Sequence, residues 1–262
     1  MNVQLKRTLI LCLTLLCLLG ITVLGISAAS YGGVEYTDDA AAIADGLKYS
    51  YVEDGVTYYV DALVPGVTLT DIANTSGATE KVVTFDDGTT YTVVTSRQRN
   101  DVAVDLGAVA YISSGSVTYY TDLDTADAAA TAKSLPYRYI DAFDLYTYNT
   151  NLVAGATAVD IVDTEGATEK SVVVDGYTYT AVTAKSEDVI AYAAWARAVF
   201  DGTYYSSKAD ADALAKATHP YRVDTTGAVS TYVTAPVAGG KVVDLNATGA
   251  TADVTLTIDG TS

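Results

Sequence analysis

One pattern recurs along this chain, and it constrains the fold more than any other feature. Gly33-Val34-Glu35-Tyr36-Thr37 returns as Val117-Thr118-Tyr119-Tyr120-Thr121 and again as Gly202-Thr203-Tyr204-Tyr205-Ser206, each time followed by an alanine-rich stretch. From Tyr36 to Tyr120 is 84 residues and from Tyr120 to Tyr205 is 85, so the period holds twice. Ser76-Gly77-Ala78-Thr79-Glu80-Lys81 likewise returns as Glu165-Gly166-Ala167-Thr168-Glu169-Lys170 and, more loosely, as Thr248-Gly249-Ala250-Thr251-Ala252-Asp253. An Asp-Gly pair closes each copy, at Asp87-Gly88, Asp175-Gly176 and Asp259-Gly260. Self-similarity at a fixed period is the signature of a tandem array. The copies occupy residues 30–114, 115–201 and 202–262, and the third stops at Ser262 without the strand that follows the Asp-Gly turn in the other two.

Local signals agree from copy to copy. Asp38 to Leu47, Asp124 to Ser134 and Ser207 to Thr218 read as short alanine-rich helices, with Asp or Ser at the start where the orphan N-H groups need acceptors. Pro136 and Pro220 are expected to stop the later two, because the residue before a proline disfavours helical dihedrals. Tyr49 and Tyr51, then Asp54-Gly55, then Val56, Tyr58 and Val60 alternate about a hairpin turn, and Val254, Leu256 and Ile258 alternate with threonines. Ser186 to Phe200 reads as a second helix with Ser186 as its cap and Trp195 on its apolar side. The matching Asn100 to Ile112 reads equally well as a strand. The predicted fold class is α+β, β-dominated tandem repeats, each with a short Ala-rich helix and antiparallel hairpins.

Composition bears on location and on partners. There are 32 acidic against 15 basic side chains, a formal net charge of -17, which argues against nucleic acid as a partner because no basic stripe exists to displace counterions. Residues 1–29 read as a signal peptide: Lys6 and Arg7 precede an uncharged apolar run from Leu9 to Ile26, and Ser27-Ala28-Ala29 offers small residues for cleavage, giving a mature start at Ser30. The alternative is an uncleaved anchor, and both readings place the rest of the chain outside the cytoplasm. Cys12 and Cys17 both lie in this segment, so a mature chain would hold no disulfide and, once cleaved, no membrane segment. Stability must then come from cores and sheets.

Candidate sites are few. His219 is the one imidazole and takes the place of Leu135 in the repeat, each before Pro-Tyr-Arg, which is a structural position rather than a catalytic one. No G-x-S-x-G, Walker, Rossmann or H-E-x-x-H pattern occurs, and no enzymatic activity is expected. Calcium is the one metal left open, with Asp122, Asp124 and Asp127 as weak candidate ligands. An EF-hand would need Gly and Glu where Asp127 and Lys133 stand. Asn74 and Asn246 head N-glycosylation sequences at one place in copies one and three, where copy two has Asp163.

The run Val109-Ala110-Tyr111-Ile112-Ser113-Ser114-Gly115-Ser116-Val117-Thr118-Tyr119-Tyr120, leading into an acidic alanine-rich helix, resembles a tandem module of prokaryotic secreted cell-surface proteins of S-layer-like or adhesin-like type. The resemblance covers about 25 residues per copy. It implies an exported structural or attachment protein of the cell surface or extracellular matrix, acting through self-association or adhesion, without cofactor. An array of carbohydrate-binding modules, using exposed tyrosines and turn aspartates on polysaccharide, is the alternative. A secreted hydrolase with a carboxylate pair is the third choice.

Overall fold

The computed structural model describes residues 28–30, 34–238 and 241–247, so Val254 to Ile258 and the Asp259-Gly260 turn lie outside the described residues. The fold is β-dominated α+β. It divides into two compact units, residues 1–82 with 90–98, and residues 83–89 with 99–262.

In the first unit the elements are β1 (Ala28–Ser30), β2 (Glu35–Tyr36), α1 (Asp39–Ala44), β3 (Tyr49–Glu53), β4 (Val56–Val60), β5 (Thr68–Asp71), β6 (Thr79–Thr84) and β7 (Thr90–Thr95). They form a seven-stranded sheet in the order β2-β1-β4-β3-β5-β7-β6. β3 and β4 are antiparallel about Asp54-Gly55, as their alternation predicts, while β5 and β7 run parallel with Leu69 opposite Val93. One cluster of this unit joins Ala42 of α1 to Tyr59 and Ile72, with Tyr36 and Leu47 against it.

The second unit continues with α2 (Arg99–Asp105), β8 (Ala110–Ser114), β9 (Ser116–Tyr120), α3 (Leu123–Ala132), β10 (Tyr137–Ile140), β11 (Tyr146–Asn149), β12 (Thr157–Asp160), β13 (Thr168–Val174), β14 (Tyr177–Thr183) and α4 (Glu187–Ala193). Then follow β15 (Ala198–Phe200), β16 (Thr203–Tyr205), α5 (Lys208–Ala215), β17 (Tyr221–Asp224), β18 (Thr231–Val233) and, last among the described residues, β19 (Lys241–Asp244). Its nine-stranded sheet runs β15-β16-β13-β14-β12-β10-β11-β8-β9, and a three-stranded sheet runs β18-β17-β19. From β13 to β9 this is the order of the first sheet read from β6 to β2.

Registers agree as well as order. Tyr49 pairs with Asp71, Tyr137 with Asp160 and Tyr221 with Asp244. Ala28 pairs with Tyr36, Ala110 with Tyr120 and Ala198 with Tyr205. The clusters follow the same plan: Ala126 and Ala130 of α3 pack with Ala110, Tyr120 and Tyr148, and Ala211 and Ala215 of α5 pack with Ala198 and Tyr232. Small alanines let a short helix lie close to the sheet, and each tyrosine fills the space between them.

Helix starts lie close to the sequence signals, although α3 begins one residue before the expected Asp124 and is capped by Asp122. The side chains of Asp38, Asp122 and Ser207 accept from the N-H of Ala41, Thr125 and Asp210, each three residues on. Helix ends do not. α3 stops at Ala132, well short of Pro136, because Ser134 turns to φ +58° and the N-H groups of Ser134 and Leu135 bond Thr131 and Ala130. This pair of bonds is the Schellman arrangement. α1 ends the same way at Gly46 and Leu47, with Lys48 where copy two has Pro136, so proline is not the terminator. α4 is also shorter than expected. It closes at Ala193, and Ala198 to Phe200 is strand, as is Ala110 to Ser114 after α2. Ser186 stands at the N-cap position without a side-chain bond, and Trp195 is 53% exposed rather than on an apolar helix face.

Candidate functional site

Two of the three carboxylates singled out for calcium, Asp122 and Asp127, have separate partners. Asp122 is the cap of α3 and accepts from Thr125 N-H and Oγ1 at 2.8 and 2.7 Å. Asp124 is exposed in the first turn of the helix. Asp127 lies on the inner side of α3, where it binds the Arg138 guanidinium and accepts from the Tyr148 hydroxyl at 2.8 Å. Asp212 repeats this role one copy on, between Arg222 and the Tyr232 hydroxyl. Among the described residues, no group of three His, Cys, Asp or Glu side chains is placed to hold a metal ion. Burial first, and then the bond to Asp127, push the Tyr148 phenol far above its ordinary range, and Tyr232 is raised in the same way beside Asp212.

Asp127 therefore acts as a clasp between helix and sheet. Asp127→Ala is expected to cost about 2–3 kcal/mol, because it strands a partly buried guanidinium and a phenol, whereas Tyr148→Phe costs about 1 kcal/mol. Equilibrium urea unfolding of the two variants tests this, and equal losses would remove the clasp role.

Asn74 is half-buried, and its Nδ2 donates to both carboxylate oxygens of Asp71 at 3.1 Å. A glycan on that nitrogen would compete with these bonds. Asn246 is exposed, and its N-H donates to Asp244 Oδ1 at 2.9 Å. Both asparagines thus sit in the turn after an equivalent aspartate. Asp163, at the Asn74 position of copy two, instead joins Asp160 in holding the Lys185 ammonium, at 2.9 and 2.7 Å. His219 meets Phe200 edge-on at 5.4 Å between ring centroids, and its Nδ1 lies 3.0 Å from Thr218 Oγ1.

Two surface features of the second unit remain. A shallow depression of about 320 Å³ is lined by residues that include Ser171, Asp175, Glu187, Thr203 and Tyr204. Asp175 is engaged there by the Ser206 N-H, and Tyr204 Oη donates to Asp188 at 2.7 Å. The other feature is the corner after α4. The Arg197 guanidinium lies 4.7 Å from the Tyr192 ring and 5.3 Å from the Trp195 ring, and one of its nitrogens donates to the carbonyls of Tyr192 and Ala196. Trp195 itself stands at φ +70°.

Sequence reasoning missed this corner by extending the helix through it. The signal was available in a comparison of the two segments: Leu106-Gly107-Ala108 follows α2 as Ala194-Trp195-Ala196 follows α4, a glycine against the one tryptophan of the chain. No protein-family model matches the chain, and no curated protein and no solved structure shows significant similarity to it.

Proposed function

We propose that the chain is an exported structural or attachment protein, built from three tandem copies of one α+β module and acting at the cell surface or in the extracellular matrix through self-association or adhesion. One observation carries this reading: neighbouring copies are stitched by the same strand contact. Phe85 bridges in parallel to Tyr119, with Asp86 N-H donating to Tyr119 C=O, and Val174 pairs in parallel with Tyr204, with Asp175 N-H donating to Tyr204 C=O. A joint made of backbone bonds forms whatever the side chains are, which suits an array whose role is mechanical. The side chains that recur between copies, Asp127 and Asp212 with their Tyr and Arg partners and the buried pairs Asp71–Thr95 and Asp160–Thr183, hold the module together.

The export reading places a leader before the first copy. β1 occupies Ala28–Ser30, pairs with both β2 and β4, and corresponds in register to β8 and β15. Cleavage after Ala29 would remove two of its three residues. Cleavage after Ser27, with Gly25 and Ser27 as the small residues before the cut, keeps the strand whole. The secreted protein is therefore expected to begin at Ala28, as read by mass spectrometry of its N-terminal peptide. A start at Ser30 would show β1 to be dispensable, and an intact Met1 would overturn export by cleavage. Sedimentation of the purified mature chain over a concentration series tests self-association, which a monomer at every concentration would contradict.

A further inference from the structure

Copies one and two share a backbone corner that their side chains use differently. After α2, Gly107 N-H bonds Val104 C=O and Ala108 N-H bonds Ala103 C=O; after α4, Trp195 N-H bonds Tyr192 C=O and Ala196 N-H bonds Ala191 C=O. Two residues beyond the turn, Val109 N-H bonds Tyr120 C=O and its carbonyl accepts from Tyr146, while Arg197 N-H bonds Tyr205 C=O and its carbonyl accepts from Ser230. One scaffold thus carries Val104, Gly107 and Val109 in copy one, and Tyr192, Trp195 and Arg197 in copy two.

The difference runs against stability. The turn needs a left-handed residue, φ +86° at Gly107 and +70° at Trp195, and a bulky side chain is disfavoured there while glycine is not. The strained residue is a tryptophan 53% exposed, so its ring offers little burial in return. Strain of this kind at an exposed position points to use. Arg197 adds a second observation. Its guanidinium is held between two rings and two carbonyls and, among the described residues, by no carboxylate.

We propose that the Tyr192–Trp195–Arg197 corner is a carbohydrate-binding site that takes the apolar face of a neutral pyranose on the Trp195 ring. A flat exposed ring on a rigid turn suits a flat ligand whose C-H face can stack, and the guanidinium beside it presents its remaining N-H groups to ring hydroxyls. The net charge of -17 disfavours polyanions and so separates this site from one that stacks nucleobases. The site belongs to copy two, not to the module, and goes beyond the structural role proposed above.

The single tryptophan makes the test direct. Cellohexaose, chitohexaose and xylohexaose are titrated in the millimolar range into the full chain, and Trp195 emission is followed. At least one neutral oligosaccharide is expected to shift the emission saturably, with an alginate oligomer as the charged comparison. Trp195→Gly, which restores the copy-one residue, is expected to raise Tm by about 2–4 °C while weakening retention on the matching insoluble polysaccharide about tenfold or more. Trp195→Tyr keeps part of the binding. An emission unmoved by every neutral oligosaccharide, or retention unchanged in Trp195→Gly, overturns the proposal. So does an emission shift produced by raising the protein concentration alone, which would make a second copy the occupant.

Discussion

Raising the pH from 10 to 12 is expected to unfold this protein in one cooperative step. The chain carries 21 tyrosines, and the buried ones hold their protons in the folded state. Burial pushes the phenols of Tyr119 and Tyr139 up from the ordinary value of 10.0 to about 12. Burial and then the hydrogen bond to Asp39 do the same for Tyr59, to about 12. Tyr148, Tyr204 and Tyr232, which donate to Asp127, Asp188 and Asp212, are raised further still. A phenol with a folded value above its unfolded one contributes stability that is complete below pH 10 and is lost as the pH climbs toward the folded value, because the unfolded chain releases its protons first. Each such ring is worth roughly 1 kcal/mol, well under half of what the shift alone implies, because water screens rings near the surface. Six together rival a typical total stability of about 5–15 kcal/mol. Phenolate absorbance and far-ultraviolet circular dichroism, followed together against pH, give the readout. The dichroism should be lost together with the late part of the phenolate absorbance rise, above the titration of free tyrosine. Gradual ionisation from pH 10 with the dichroism intact at pH 12 would show that these rings do not hold the fold.

The tyrosines also mark how far the sequence could be read. Their recurrence before each alanine-rich stretch carries the repeat reading, and the Asp-Gly pair at Asp54-Gly55 gives its hairpin, because a turn signal acts over a few residues. The starts of α1, α3 and α5 were legible for the same reason, since a capping side chain lies three residues from its partner. The parallel pairings of β5 with β7 and of β12 with β14 were not, since parallel partners are set by packing at a distance. Nor was the end of α4. Its apolar periodicity continues into Trp195, and only the hydrogen bonds of Trp195 and Ala196 show that the chain has already turned. The candidate site was therefore hidden by a local pattern and exposed by a comparison between copies.

The largest loss from a single substitution is expected at Asp160, which is fully buried at the end of β12. Its Oδ2 accepts from Thr183 Oγ1 at 2.9 Å and from Lys185 Nζ at 2.7 Å, and its Oδ1 accepts from the N-H groups of Val162 and Asp163 at 3.2 and 3.3 Å. The carboxylate thereby ties β12 to the end of its parallel neighbour β14 and closes the turn that follows. Burial pushes its carboxyl up, but the hydrogen bonds from Lys185 and Thr183 and the Val162 N-H outweigh this and leave it below the ordinary 3.8. Its contribution is therefore present above the unfolded value and is lost as the pH falls through the folded one. Asp160→Ala leaves a buried hydroxyl and two N-H groups without their acceptor, while Lys185 keeps Asp163 at 2.9 Å. The expected cost is about 3–4 kcal/mol. Asp160→Asn keeps an acceptor oxygen but turns an amide toward the ammonium, and should cost about half as much. Asp71, which ties β5 to Thr95 at 2.9 Å and is closed by Asn74 where copy two uses Lys185, should lose a comparable amount on change to alanine. Asp122→Ala, which removes only an exposed cap, should lose about 1 kcal/mol. Urea unfolding at neutral pH ranks the four variants. If Asp160→Ala falls within about 0.5 kcal/mol of the parent, the aspartate is not a tie between the strands and its burial has another cause. Repeating the series at acid pH separates charge from shape. The gap between the parent and Asp160→Asn should close as the parent carboxyl protonates, whereas the gap to Asp160→Ala should persist, because a protonated carboxyl still fills the space and still bonds Thr183.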